Sequence, residues 1–216
     1  MVRDVVRQAN VLCPVSADLG RAMSEAVPNG KASVRVVPNV VDTSVFKIAE
    51  PELLSGVPVG ATRRKMERNG LNRILHISSM SDVQKNVTGL LDALEGLMRN
   101  QESLRATFVG GEAADLDAFK AKVEAMGLSE RIAFTGPLST TDVVRQMQSH
   151  DVLVLNSRRE NFPCVIPEAW ACGLPVMSTD VGGIREHLPE GLSERGFLLD
   201  AEASSEAWLA AFQAMN

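Results

Sequence analysis

The chain has 216 residues, a formal net charge of −5 and 45% hydrophobic residues, a composition that is ordinary for a soluble globular protein. The acidic balance argues against a protein that binds nucleic acid electrostatically, and no apolar run approaches the ~20 residues of a membrane span. The beginning of the chain lacks the apolar core and cleavage site of a signal peptide. The three cysteines, Cys13, Cys164 and Cys172, lack metal-ligand spacing, which indicates reduced thiols in a cytoplasmic protein.

The first seventy residues predict an incomplete structural unit. Residues 9–27 are typical of one strand followed by one helix without neighbours that would complete a sheet, and residues 33–39 predict another strand. The stretch 51–70 is rich in proline, glycine and charge, which favours a linker or an insertion. We interpret its basic cluster at 62–68 as solvated charge, with contact to phosphate or lipid as the alternative.

From residue 71 onward, short apolar runs alternate with amphipathic ones. The predicted strands cover residues 73–79, 105–111, 131–136, 151–157, 174–180 and 196–200. Continuous apolar strands are expected where both faces of a parallel sheet are covered. The alternation predicts an α/β fold, a doubly wound and mainly parallel sheet with helices on both faces.

Three helices are predicted between these strands, over residues 86–100, 115–127 and 139–150. The first places five large apolar side chains on one face: Leu90, Leu91, Leu94, Leu97 and Met98. Gly127 is predicted to end the second helix, and Ser139 or Thr140 to cap the start of the third.

Two carboxylates, Glu160 and Glu168, lie between a predicted strand and a predicted helix in the run RRENFPCVIPEAW. Eight positions along a helix would turn the second side chain away from the first, so we place Glu160 in the loop and Glu168 in the first helical turn. Both then face one cleft at the carboxyl edge of the sheet, where open α/β folds bind ligands. The alternative is that both are helix N-terminal acids that stabilise the helix dipole.

The loop between the two glutamates offers backbone hydrogen-bond donors. If the helix begins near Cys164, the amides of Phe162, Cys164 and Val165 lack intrahelical acceptors and can bind an anion such as a diphosphate. Carboxylates beside a diphosphate suit hydroxyls, since an ionised carboxylate accepts two hydrogen bonds from a vicinal diol. A ribose and a second sugar would supply two such diols, so this geometry gives a nucleotide-sugar ligand as a hypothesis.

Two other strand-to-helix connections carry candidate ligand contacts. Lys85 is predicted in a polar loop just before a helix, where a lysine either reaches a phosphate as a point charge or is only a surface residue. Gly182 and Gly183 follow a predicted strand. Paired glycines let the backbone approach a ligand closely or simply form a tight turn, and both interpretations stay open.

Together these motifs resemble the C-terminal, donor-binding half of family 4 glycosyltransferases of the GT-B fold. The mark of that family is a Glu-x7-Glu element, here Glu160 to Glu168 within ENFPCVIPEAWACGLPVMSTDVGG. The segment VVPNVVDTSVF, which contains Asn39 and Asp42, and the strand–loop–lysine run ILHISSMSDVQKN also match the family pattern. The resemblance implies that Asn39 and Asp42 are linker residues with structural roles.

The resemblance also implies a role for each matching site residue. Glu168 would hold the ribose hydroxyls of the donor nucleotide, Glu160 would contact the transferred sugar, and Lys85 would neutralise the departing diphosphate. The loop from Gly136 to Leu138 would border the base. The backbone that cradles the sugar and the distal phosphate would come from Asn161, Phe162, Pro163, Cys164 and Val165.

The family retains the anomeric configuration and typically needs no metal, so the resemblance implies a retaining, nucleotide-sugar-dependent hexosyltransferase without a metal site. Lys85 and a helix N-terminus would stabilise the leaving group instead. Asp115 and Asp117 form a D-x-D pair, as in metal-dependent glycosyltransferases of the other major fold, but we interpret them as acids in the first turn of a helix. Many relatives carry an arginine shortly before the lysine. Here Ser79 or Ser81 occupies that region, so diphosphate binding is expected to rest more on Lys85 and on backbone amides.

Enzymes of this family bind the acceptor in a second, N-terminal Rossmann-like domain. We therefore expect residues 1–45 to be a remnant of that domain with its linker, 46–70 a linker or insertion, and 71–216 the donor-binding domain. The chain is expected to be a fragment that transfers negligible sugar by itself. Its expected partners are a nucleotide sugar and the missing acceptor domain, and the full-length enzyme is compatible with peripheral association at the cytoplasmic face of a membrane.

Two other functions are considered: a non-catalytic nucleotide-sugar-binding module, and a sugar-nucleotide epimerase with the same architecture. An epimerase should show histidines and carboxylates suited to proton abstraction, which the motif region lacks. His76, His150 and His187 are expected at strand ends or on the surface. Phe162 is interpreted as a packing residue rather than a stacking platform, and Cys164 lacks the spacing to His or Asp that marks a nucleophile.

Overall fold

The structure, a computed structural model, describes residue 6 and residues 8–26, 31–49, 72–186, 188 and 196–215. The predicted linker at 51–70 with its basic cluster, and His187, lie outside these residues.

The described residues contain eight strands in two sheets. They are β1 (Val11–Leu12), β2 (Ser33–Val34), β3 (Arg73–Ile77), β4 (Arg105–Val109), β5 (Ile132–Gly136), β6 (Val152–Leu155), β7 (Val176–Thr179) and β8 (Gly196–Leu199). The last six form one sheet in the order β5–β4–β3–β6–β7–β8, and every neighbouring pair in it is parallel. The predicted doubly wound parallel sheet is therefore confirmed.

Helices follow the strands as the alternation predicts. They are α1 (Ala17–Ala26), α2 (Asp82–Lys85), α3 (Val87–Asn100), α4 (Ala113–Ala125), α5 (Thr140–Ser149), α6 (Val165–Ala171), α7 (Ser205–Met215) and a 3₁₀ helix (Gly182–Glu186). Ser139 caps α5, because its side chain accepts from the Asp142 amide. Gly127 follows α4 with φ of +71°, as expected for a C-terminal glycine. None of the helices in the described residues is long and apolar enough to cross a membrane.

Apolar side chains cover both faces of the main sheet. On one face, all five predicted apolar residues of α3 are buried with Ile74 and Phe108 of the sheet and Trp208 of α7. On the other face, Leu75 and Leu153 pack with helix α6. Ile74 and Leu75 are consecutive and point to opposite faces, as a strand requires, so both helical layers are fixed by alternate positions of the same strands.

The strands at the centre of the sheet end earlier than predicted. β3, β4 and β6 stop at Ile77, Val109 and Leu155, two residues before the predicted limits. The residues that follow are serines, glycines or asparagine, and they leave the ladder to form loops. The strand predicted over 33–39 is wrong beyond Val34, because β2 pairs only with the two-residue β1.

The N-terminal segment is better connected than the sequence predicts. β1 pairs with β2 in parallel. The expectation of a strand without neighbours is therefore wrong. The amides of Ala17 and Asp18 donate to the two carboxylate oxygens of Glu186 at 2.8 Å each. A side chain of the 3₁₀ helix thus caps α1 and ties the segment to the main sheet domain.

Candidate functional site

The site lies where the order of strands reverses. β3 and β6 are neighbours in the centre of the sheet, and the chain builds outward from β3 to β4 and β5, and from β6 to β7 and β8. This arrangement opens a crevice at the carboxyl ends of β3 and β6, the usual ligand position in such sheets. Lys85 follows β3 and Glu160 follows β6, so the topology brings the two predicted residues to one edge.

Lys85 and Glu160 are in direct contact. The Lys85 ammonium donates to Glu160 Oε1 at 2.5 Å, although the residues are 75 positions apart in the chain. The side chains are only 17% and 8% exposed, respectively. Because water screens such a pair little, each charge depends on the other for compensation.

Lys85 is the last residue of a one-turn helix, α2. The sequence predicts a polar loop at this position, and that prediction is wrong. The Asp82 carboxylate accepts from the Thr88 amide at 2.7 Å, which links α2 to α3. Asn86, with φ of +49°, makes the bend between the two helices. Arg158, in the loop after β6, donates from its amide to the Gln84 carbonyl at 2.7 Å. The lysine is therefore held on a short rigid turn against the loop that carries Glu160.

Ser157 also holds Glu160 and is a contact that the sequence interpretation missed. Its hydroxyl donates to the same Oε1 at 2.7 Å, and the residue is fully buried. The Ser157 carbonyl accepts from the Thr179 hydroxyl of β7 at 2.6 Å. Ser157 lies only three residues before Glu160 in the same loop, and this short spacing is the sequence signal that could have found the contact.

Glu168 lies in the first turn of α6, where the sequence places it. Its side chain is half-buried, and burial raises the pKa of the carboxyl above its ordinary value. Within the described part of the chain the carboxylate has no hydrogen-bond partner. It is thus a desolvated acceptor with free lone pairs, which is what a hydroxyl-bearing ligand requires.

Two carbonyls of the loop before α6 are bound by other parts of the chain. The Asn161 carbonyl accepts from the Gly183 amide at 2.9 Å, and the Phe162 carbonyl accepts from the Asn39 side chain at 2.9 Å. The amides of Asn161, Cys164 and Val165 have no acceptor among the described residues. These amides are available to an anion, and because α6 has only seven residues the donors matter more than the helix dipole. Phe162 is buried as a packing residue, as predicted.

Gly182 and Gly183 pack against this loop, a contact that the sequence interpretation did not consider. A Cβ at Gly182 would lie 1.7 Å from the Glu160 carbonyl oxygen, and one at Gly183 would lie 2.4 Å from the Asn161 carbonyl oxygen. The 3₁₀ helix therefore sits directly against the backbone of the loop, and only glycine permits this approach.

We expect Gly182→Ala to be more destabilising than Gly127→Ala, a matched control. Both glycines have positive φ, +58° and +71°, but nothing lies within 4 Å of a Cβ at Gly127. The control should cost about 1–2 kcal/mol for the left-handed backbone alone, and Gly182→Ala a further ~1–3 kcal/mol for the clash. Urea unfolding measures both, and equal costs would contradict the close packing.

Gly136 and Leu138 lie at the same edge of the sheet but farther out. Gly136 ends β5 with φ of +71°, and its carbonyl accepts from the Gly110 amide at 2.9 Å. Leu138 packs at the rim of the second apolar cluster. Two strands separate β5 from β6, a distance of ~14 Å, so a ligand that touched both ends would have to extend across the ends of β3 and β4.

His76 lies one residue before the end of β3, which agrees with the predicted strand end, but neither His76 nor His150 lies on the surface. His76 is fully buried in β3 and His150 is buried next to α5. His76 contacts the Val154 carbonyl and the Ser78 hydroxyl, and burial lowers its pKa to about 4. His150 contacts the Thr107 hydroxyl at 3.0 Å. Alternation along the strand and the apolar neighbours on both sides of His76 would have predicted its burial.

The cysteines are free thiols and Asp115 is a first-turn acid, as predicted, whereas Asp117 lies beyond the first turn of its helix. Cys164 is exposed, and Cys172 is buried with its pKa raised to about 11 by burial, so the Cys172 thiol stays protonated. Asp115 lies in the first turn of α4, and Asp117 is 3.9 Å from Lys120. Within the described ranges, no three His, Cys, Asp or Glu side chains are grouped to hold a metal ion.

Comparison with known proteins places the chain in a family. The family profile described as group 1 glycosyl transferases matches residues 72–215. The chain belongs to this family. The fold is also that of HepE from Anabaena, whose structure was solved with UDP-glucose, with a TM-score of 0.77 at 23% identity over 99% of this chain and 57% of that one. Sucrose-phosphate synthase from Thermosynechococcus elongatus gives a TM-score of 0.75 at 19% identity, over 99% of this chain and 50% of that one.

Curated relatives of this glycosyltransferase domain match over shorter stretches. A D-inositol 3-phosphate glycosyltransferase from Mycobacterium sp. (strain KMS) is 36% identical over 42% of the chain and 20% of that protein. A 2-deoxystreptamine N-acetyl-D-glucosaminyltransferase from Streptomyces fradiae is 28% identical over 85% of the chain and 42% of that protein. The chain thus spans less than half of these relatives and about half of the solved structures.

Proposed function

We propose that this chain binds a nucleoside-diphosphate sugar and carries the donor half of a retaining sugar transfer. The observation that carries the proposal is the contact between Lys85 and Glu160 at the crevice between β3 and β6. A cation and a carboxylate at that position match two groups of such a donor. The diphosphate needs a cation, and the sugar hydroxyls need hydrogen-bond acceptors.

The remaining contacts divide the donor into parts. Glu168 is the free, desolvated carboxylate and accepts from the ribose hydroxyls. The amides of Asn161, Cys164 and Val165 donate to the sugar and the distal phosphate. Lys85 leaves Glu160 for the diphosphate, whose charge grows as the bond between sugar and phosphate breaks. Stabilising that charge with fixed donors is a large source of rate enhancement in group transfer.

We assign residues 71–216 to donor binding and residues 1–45 to the last part of an acceptor domain with its linker. The exposed apolar side chains of the N-terminal segment support this assignment. Val34, Val36 and Val37 are between 41% and 55% exposed, and Val40 is 92% exposed. In full-length relatives an additional domain is present, and acceptor chemistry is assigned to it rather than to this chain.

Ligand-dependent thermal shifts across UDP, GDP and ADP and their sugars test the proposal. One base series is expected to raise the melting temperature, with weak affinity because the 216 residues span only about half of the solved relatives. Asp117→Asn removes one exposed negative charge outside the residues that are proposed to bind the donor, and it is expected to leave the shift unchanged. A folded sample with no shift from any of these nucleotides would contradict the donor site.

A further inference from the structure

Among the residues that the structure describes, His76 is a fully buried titratable side chain near the crevice that the donor site does not use. It lies in β3, with no exposed surface. Its ring is 5.2 Å from the ring of Phe108, and both ring nitrogens are hydrogen-bonded. A buried polar group with both partners in place is costly to disturb, so its surroundings are held in one arrangement.

The two contacts fix the tautomer of the imidazole. Nδ1 lies 2.8 Å from the Val154 carbonyl, and a carbonyl can only accept, so Nδ1 carries the proton. Nε2 of the neutral ring is then an acceptor. It lies 2.9 Å from the Ser78 hydroxyl, which therefore donates to it. Burial lowers the pKa of His76 to about 4, the Val154 contact raises it, and the charge of Lys85 lowers it, so the ring is neutral at pH 7.

One hydrogen bond extends this network into the loop that carries Lys85. The Ser78 oxygen accepts from the Met80 amide at 3.0 Å. Met80 has φ of +59°, a backbone conformation that costs about 1–3 kcal/mol for a residue other than glycine and needs support from its surroundings. The next residue, Ser81, is the N-cap of α2, and its carbonyl accepts from the Lys85 amide at 2.7 Å. The direction of α2 thus depends on the Ser78–Met80 turn.

The other end of the network reaches the strand that leads to Glu160. The backbone register pairs Ile74 with Val152 and Leu75 with Leu153. At the next step along β6 the His76 ring contacts the Val154 carbonyl. The imidazole therefore bridges β3 and β6 where the two strands separate to form the crevice. Ser157, which holds Glu160, follows three residues later.

We propose that His76 is a positioning residue that sets the Ser78–Met80 turn against β6 and thereby holds Lys85 at the distance that Glu160 and a diphosphate require. Its role for the ligand rests on the proposed donor site. It touches neither the sugar nor the phosphate and acts only through the lysine.

Ser78→Ala tests the proposal, with Thr107→Val as the matched control. Each variant removes the hydroxyl that contacts Nε2 of a buried histidine, at 2.9 Å for His76 and 3.0 Å for His150. Of the two hydroxyls, the one of Ser78 also accepts from the Met80 amide in the turn that precedes Lys85. Both variants should lower the melting temperature by a few degrees. Ser78→Ala should weaken binding of the nucleoside diphosphate that binds best among UDP, GDP and ADP by ~10-fold, and Thr107→Val by less than ~2-fold.

Two measurements without ligand test the same geometry. Nitrogen NMR of the imidazole should show the neutral Nδ1–H tautomer of His76 at pH 7, and hydrogen exchange at the Met80 amide should be fast in Ser78→Ala and slow in Thr107→Val. An Nε2–H tautomer, or a Met80 amide that stays protected in Ser78→Ala, would overturn the proposal. So would unchanged nucleotide affinity in a folded Ser78→Ala. If the wild-type chain binds none of the three nucleotides, the donor site fails, whereas the NMR results still decide whether His76 orders the turn.

Discussion

Glu168→Gln is expected to lose ~30-fold in affinity for the nucleotide that the chain binds, without loss of fold. The neutral amide replaces a charged acceptor of ribose hydroxyls, a difference of about 2 kcal/mol. At neutral pH the variant should unfold at an equal or higher urea concentration than the wild type, because it no longer holds a half-buried charge. A residue that weakens the fold and strengthens binding is typical of a functional site.

The pH dependence of Glu168 follows from the direction of its pKa. Burial raises the pKa of this carboxyl in the folded chain above that of the unfolded chain. Its ionisation therefore opposes folding above the raised pKa, and this penalty disappears as the pH falls through that value. The stability difference between Glu168→Gln and the wild type should shrink on acidification. Nucleotide affinity should fall over the same range, because the protonated carboxyl loses acceptor capacity.

Isothermal titration at several pH values and urea unfolding measure these effects. Asp117→Asn is the matched control, since it removes one carboxylate charge at a side chain that is 79% exposed. It should change neither affinity nor its pH dependence. Wild-type affinity in Glu168→Gln would remove Glu168 from the donor site.

The second large effect is expected from Lys85 and Glu160 together. Lys85→Met leaves the 8% exposed Glu160 side chain without its cation, and Glu160→Gln leaves the lysine without its anion. A double-mutant cycle should give a coupling energy of about 1–3 kcal/mol to stability. The exposed pair Lys122–Asp92, at 2.7 Å with side chains 31% and 48% exposed, is the control and should give less than about 1 kcal/mol.

The two single variants should differ in their affinity for the ligand. Lys85→Met should weaken binding of the nucleoside diphosphate, because it removes the cation that the diphosphate needs. Glu160→Gln should leave that affinity unchanged or raise it, since it frees Lys85 from its internal partner, and should weaken only the nucleotide sugar. If both variants lost the same affinity for the nucleoside diphosphate, Lys85 would not exchange Glu160 for the diphosphate when the ligand binds, and the proposal would be contradicted.

The parallel sheet and its helices were predictable because they depend on local pattern. Continuous apolar strands and the 3.6-residue period of α3 reflect burial on one or two faces, which a single stretch of sequence records. The placement of Glu168 in the first turn of α6 was predictable for the same reason, because spacing along one helix is a local property.

The contacts that build the site were not predictable in this way. Lys85, Ser157 and Glu160 meet because β3 and β6 are neighbours in the sheet, a pairing between segments far apart in sequence. His76 was predicted at a strand end or on the surface, and it lies near the end of β3 but is fully buried. The tertiary structure buries it because two hydrogen bonds replace those it loses to water.

The sequence by itself therefore determined the fold class, the family and the residue types at the carboxyl edge of the sheet, since these follow from local periodicity and from motifs with fixed spacing. Only the tertiary structure decided that Lys85 and Glu160 share one contact, that Gly182 packs against the Glu160 loop, and that His76 bridges the strands beneath the crevice. Those relations depend on the order and separation of strands, and physical contact across a sheet leaves no trace in the spacing of a single chain.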